Sequence, residues 1–164
     1  MKKNNQNGSL LIEVLVSMSI MVTFAAAIGG LMTSNNRLVT AADHQTSATA
    51  LAKEAMEMTY AIKNADWQGI GGKTPGYYIA GRFENIFTLT QDAGVPPGEL
   101  VQEIYTRTIK ISQGYRDAQG NLAASEAAGV VEAPEVRLVE VAVSWAEHGE
   151  TQDVRLASYL THWK

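Results

Sequence analysis

The chain has 164 residues, 46% of them hydrophobic and 18% charged, with a net charge of −4 and no cysteine. One domain with a sizeable core fits this length and two ordinary ones do not, while the apolar content excludes a wholly disordered chain. A mean hydropathy of −0.08 excludes a polytopic membrane protein, and a pI near 5.4 leaves no basic field for nucleic acid. Without thiols there is no disulfide framework, thiolate metal site or cysteine nucleophile.

Residues 1–8 are short, basic and polar, with nothing to pack. From Ser9 to Met32 the chain reads SLLIEVLVSMSIMVTFAAAIGGLM, 24 residues whose only charge is Glu13. Crossing a hydrocarbon core of about 30 Å takes roughly 20 helical residues, so this run is predicted to span a membrane. Lys2 and Lys3 on its near side put the N-terminus in the cytoplasm by the positive-inside rule. Three arrangements suit such a segment. It is a secretory signal cut near Ala25-Ala26-Ala27, a plain anchor, or a helix in which Glu13 has a task. A carboxylate in an apolar helix costs roughly 2.5–3.5 kcal/mol on insertion scales, and less near the interface, so it usually has a partner.

Gly8-Ser9-Leu10-Leu11-Ile12-Glu13-Val14, behind a short basic leader and ahead of an apolar stretch, resembles the processing site of the type IV prepilins. The resemblance implies that a prepilin peptidase cuts after Gly8 on the cytoplasmic side and leaves the apolar helix attached. It implies N-methylation of the new N-terminus, Ser9, where the family most often has phenylalanine. The family's fifth mature residue is glutamate, and Glu13 is fifth counted from Ser9. The implied function is that of a structural, minor subunit of a type IV pilus or a related secretion pseudopilus. The implied partners are other pilin or pseudopilin subunits, the prepilin peptidase/methyltransferase, the inner-membrane assembly platform and membrane lipid. Before assembly the chain would be a single-pass inner-membrane protein; afterwards it would sit in a surface or periplasmic filament.

A physical account of Glu13 runs beside the resemblance. After cleavage Ser9 carries an α-amino group, cationic with a pKa near ~7.7–8.0. A carboxylate in apolar surroundings attracts such a cation strongly because screening is weak there. Pairing Glu13 with a neighbour's N-terminus would neutralise both charges and set the axial stagger between helices. The alternative is a Glu that snorkels to the headgroups.

Past the span, helix-compatible sequence continues without proline until Pro75. Ala48, Leu51, Ala55, Met58 and Ile62 recur at helical spacing and form one apolar face, opposite Asp43, Gln45, Lys53, Glu57 and Lys63. A break around Ser34-Asn35-Asn36 is the competing arrangement. Gly29 and Gly30 each cost a helix about 1 kcal/mol relative to Ala. Many pilins carry a helix breaker at this depth, so the resemblance makes the pair a candidate site of local unwinding, with close helix packing as the alternative.

Asp66 to Gly76, dense in Gly and Pro, is expected to be a loop, and its Gly69-x-Gly71-Gly72-Lys73 run lacks the context of a phosphate cradle. Short strands are expected at Tyr77–Ala80 and Asn85–Leu89, and a longer one at Val101–Ile111, where Tyr105, Arg107, Ile109 and Ile111 share a parity with Val101 and Glu103. Residues 113–134 are expected as turns with one helical turn over Leu122–Ala128. Val136–Trp145 alternates with a parity shift near Leu138 that suggests a bulge. Val154, Leu156, Ser158 and Leu160 face one way, and a turn at Glu147–Glu150 makes the last two strands an antiparallel hairpin.

These elements predict an α+β fold: a long N-terminal helix, membrane-spanning in its first half, packed on an antiparallel sheet of three or four strands. The expected divisions are a leader at 1–8, the span at 9–32, the amphipathic helix at 33–64 and a β-sheet domain at 65–164. That plan, and the C-terminal hairpin in particular, resembles the minor-pilin class called type IV pilus modification protein and the minor pseudopilin I of type II secretion.

No catalytic constellation emerges, so no enzyme and no cofactor are expected. His44, His148 and His162 are far apart and read as surface or turn residues. Asp117-Ala-Gln-Gly-Asn121 offers alternating oxygens but lacks the third side-chain oxygen and bidentate Glu of a calcium loop, and is expected to be a turn. Trp145, Tyr159 and Trp163 are expected to pack near the C-terminal strands. Losing Lys2 and Lys3 takes the side-chain charge from −4 to −6, which argues against direct nucleic-acid binding. The competing class is an exported ligand-binding or adhesive domain carrying an ordinary signal peptide or anchor.

Overall fold

The computed structural model describes residues 6–83, 86–123, 129–147 and 149–162. Lys2, Lys3, Asn85, His148, Trp163 and the Ala-rich piece from residue 124 to 128 lie outside the described residues. The elements run α1 (Gln6–Ala65), α2 (Gln68–Gly71), β1 (Gly76–Phe83), β2 (Ile86–Gln91), β3 (Glu99–Val101), β4 (Tyr105–Arg116), β5 (Leu122–Ala123), β6 (Val131–Glu147) and β7 (Glu150–Thr161). The chain divides into two compact units, residues 1–43 and 44–164.

The first unit is helix. Ser34, Asn35 and Asn36 are helical, so the expected alternative of a break there is not adopted. The second unit is the α+β body: the end of α1 packs on a single antiparallel sheet of order β2-β1-β4-β6-β7, with β3 and β5 pairing β4. The sheet has seven strands against an expected three or four. Two of the extra strands, β3 and β5, are three and two residues long, too short for alternation to show.

The helix face against the sheet is Ala48, Leu51, Ala52, Ala55, Met56, Thr59 and Ile62, all buried. Met58 is only partly buried; Met56 and Thr59 take the inward positions. Thr59 is tolerated because its hydroxyl donates to the Met56 carbonyl at 2.7 Å. From the sheet come Ile109 and Ile111 on β4, Val139, Val141, Val143 and Trp145 on β6, and Leu160 on β7, all in one buried cluster. Each large aliphatic side chain so buried contributes about 1.5–3 kcal/mol relative to exposure.

Several strands differ from expectation for identifiable reasons. The expected Val101–Ile111 strand is cut in two because Gln102 (φ 53°) and Glu103 (φ 60°) enter the left-handed region and turn β3 back along β4. The Leu122–Ala128 helical turn is corrected at its start: Leu122 and Ala123 form β5, paired with Arg116 and Tyr115. The parity shift expected near Leu138 lies earlier. Gln113 faces Arg137 but Gly114 faces Ala133, so β6 carries extra residues at Pro134–Val136. Gly114 permits this, since a Cβ there would stand 2.4 Å from Val136 Cγ1. The Asp66–Gly76 loop contains the single turn of α2, whose Ile70 is fully buried.

The β6–β7 hairpin follows expectation. Its register is unbroken from Val136↔Thr161 to Glu147↔Glu150, and the turn uses Gly149 at φ +85°. Val154, Leu156, Ser158 and Leu160 face the core and Arg155, Ala157 and Tyr159 face solvent.

Candidate functional site

The sequence places every candidate site residue on α1. One helix near the N-terminus is long and apolar enough to cross a membrane, with a mean hydropathy of 2.2 over its most apolar window and none of that window buried. Leu10, Leu11, Ile12, Val14, Leu15, Val16, Met18, Ile20, Met21, Val22 and Phe24 are each more than half exposed. In water such a surface is unfavourable by about 25 cal/mol per Å², and burial in lipid or against other helices removes that cost.

Three hydroxyls of this stretch bond back to the helix's own carbonyls. Ser19 Oγ donates to the Leu15 carbonyl at 2.8 Å, Thr23 Oγ1 to Ser19 at 2.7 Å and Thr33 Oγ1 to Gly29 at 3.1 Å. Internal satisfaction is what a hydrocarbon surrounding demands, because no water is there to bond. Glu13 is the exception in kind: a carboxylate in a shallow groove lined by Leu10, Val14, Ser17, Met18 and Met21, with no cation among them. The backbone is helical at Gly8 and Ser9, so Glu13 follows Ser9 by one turn. Gly29 and Gly30 are helical and stand about 24 Å along the axis from Glu13. A Cβ at either would meet nothing within 4 Å, so no packing against a described element requires glycine there.

The other candidates resolve into structural roles. His44 is no plain surface residue: its Nδ1 lies 2.9 Å from the Tyr105 hydroxyl, and Tyr105 in turn packs edge-on against Trp145. His162 stacks on Trp67 at 5.4 Å, tying the end of β7 to the α2 turn. Lys73, in the glycine-rich run, donates to the Leu89 carbonyl at 2.9 Å. Asp117 does form a turn, its Oδ1 accepting from the backbone N–H of Gln119 and Asn121 and its Oδ2 from Asn121 Nδ2. The Asn121 side-chain bond leads in holding the Asp117 carboxyl below its ordinary 3.8. These bonds therefore favour the fold above that value and lose their effect as pH falls through the lower folded one. Trp145 is core, with Nε1 donating to Glu147 at 3.1 Å, and Tyr159 is more than a third exposed.

Two residues of weight were not visible in the sequence. Arg107 and Arg137 are both buried on the sheet. Arg137 Nη2 donates to the Gly71 carbonyl at 2.6 Å, and Arg107 Nη2 to Glu99 at 2.7 Å. Strict alternation around Arg107 was the available signal, since its parity partners Tyr105, Ile109 and Ile111 are all core.

No family model, no curated protein and no solved structure matches this chain.

Proposed function

We propose that the chain is a minor structural subunit of a type IV pilus or a related secretion pseudopilus, processed after Gly8 and assembled through its N-terminal helix. One observation carries the reading: Glu13 is the sole charge in the Ser9–Met32 stretch of α1, whose residues from Leu10 onward are otherwise uncharged and exposed on all sides, one turn past the Gly8-Ser9 junction. Such a helix needs lipid first and other helices later, and its carboxylate needs a cation that its own groove does not hold. The Ser9 amine of a neighbouring subunit supplies that cation and fixes the stagger between the two helices. The membrane-anchored precursor keeps its N-terminus in the cytoplasm, where the peptidase acts, and the α+β body is displayed on the other side. Gly29 and Gly30 are the place where the helix unwinds most cheaply during assembly.

The test has two parts. Intact mass of the mature protein should show loss of residues 1–8, whereas loss through about Ala27 would establish an ordinary signal peptide and an exported domain. Glu13→Val should insert in the membrane and be cut after Gly8 as the parent is, yet enter purified filaments poorly at matched membrane levels. A filament-to-membrane ratio equal to the parent's would remove the charge-pairing mechanism.

A further inference from the structure

The second unit ends its sheet on a long open edge. β7 spans 12 residues and pairs with β6 alone among the described residues. Two observations agree on which of its backbone groups are free. Glu147 faces Glu150 across a two-residue turn, and the His162 N–H donates to the Glu135 carbonyl at 2.9 Å. Even-numbered residues of β7 therefore bond to β6, because hydrogen-bonded and non-bonded pairs alternate in an antiparallel ladder. The N–H and C=O groups of Thr151, Asp153, Arg155, Ala157 and Tyr159 point away from the sheet.

No backbone device closes that row, and its exposed charges, Asp153 and Arg155, are of opposite sign. Residues 150–161 contain no proline and no lysine, and the ladder to β6 carries no bulge. Natural sheets use such devices to blunt a long edge, and their absence marks a pairing site. The side chains on the solvent face of β7 add a second feature. Asp153 and Arg155 stand two residues apart, the arginine with 79% of its side chain exposed, and they contact each other at 2.5 Å along the strand.

We infer that β7 is a self-pairing edge, joining a second copy of this chain in an antiparallel, two-fold register centred on Val154. The charge pattern selects both the occupant and the register. A two-fold about Val154 sets Asp153 opposite the partner copy's Arg155 and the reverse, giving two ion pairs directly across the strands. Centring the two-fold one residue earlier sets Asp153 against itself, and one residue later sets Arg155 against itself, so slippage in either direction is penalised. Pairs from Thr151/Ala157 through Ala157/Thr151 supply about eight backbone hydrogen bonds. On the helix side, Val154, now only partly buried, meets its own copy. An isologous contact closes on itself. It therefore pairs folded units and leaves open-ended assembly to the helix, so it does not rest on the filament reading.

The absence of cysteine makes the test clean, since any introduced thiol is unique. Full-length Val154→Cys in detergent micelles, mildly oxidised, should give a disulfide-linked dimer. Thr151→Cys alone should give none, but should cross-link when mixed with Ala157→Cys. Adding Arg155→Asp to Val154→Cys should raise the dissociation constant about tenfold and cut the cross-link accordingly. Exchanging both charges, Asp153→Arg with Arg155→Asp, should restore it. Circular dichroism equal to the parent's confirms that the variants fold. Failure of Val154→Cys to cross-link, indifference to Arg155→Asp, or failure of the double exchange to restore dimers would each overturn the inference. So would a cross-link from Val154→Cys to a cysteine placed in β2, which marks a head-to-tail join.

Discussion

Arg107 holds a guanidinium on the inner face of β4 with only 6% of its surface exposed. Its Nη2 is bonded to Glu99 and its Nη1 lies 3.7 Å from Glu54, while its Nε has no partner among the described residues. The residue thus ties β3 and α1 to β4, at the cost of desolvating a charge. Glu54 and Glu99 keep much of their exposure, so neither is stranded when the arginine goes. Arg107→Met, which retains the packing stem, is expected to unfold within about 1 kcal/mol of the parent. Arg107→Ala, which leaves a void beneath the helix, should cost about 3 kcal/mol. Denaturant unfolding followed by tryptophan fluorescence separates the two, and equal losses would assign the stabilisation to the ion pairs instead of the packing.

At the scale of elements, β6 is the organising strand, bonded to β4 on one side and β7 on the other. Its bulge at Pro134–Val136 leaves Val136 fully buried against Gly114 on β4, outside the main buried cluster. Gly114→Ala would set a Cβ 2.4 Å from Val136 Cγ1, closer than real contacts allow, so the bulge must move. The expected cost is about 2 kcal/mol. Gly149→Ala meets open space and pays only for a left-handed φ of +85°, about 1 kcal/mol. If thermal unfolding ranks the two the other way, steric closure at the bulge is not what holds β4 to β6.

The whole molecule divides its physics between its units. Residues 44–164 own a buried cluster that draws on α1, every long strand and α2. Residues from 10 to 40 bury nothing. The body should therefore stand alone: a chain starting near Arg37 is expected to be soluble, with β-sheet circular dichroism and one cooperative unfolding transition. A broad, non-cooperative melt or a missing sheet signal would mean that the first unit contributes to the fold after all.

The amino-acid sequence by itself determined whatever depends on local chemistry. The apolar run with its lone Glu13 registers by length and composition, while the helical face through Ala48, Leu51, Ala55 and Ile62 and the hairpin with Val154, Leu156 and Leu160 inward are periodic over seven residues or more. Periods of 3.6 and 2 register at that length without knowledge of neighbours. Tertiary structure decided the rest. Whether Arg107 is buried depends on Glu54 and Glu99 arriving from other elements. Where the bulge falls depends on Gly114 leaving room for Val136, and whether Gln102 and Glu103 break a strand depends on β3 finding β4. That β7 is an edge at all is a property of strand order, which no strand carries within its own residues.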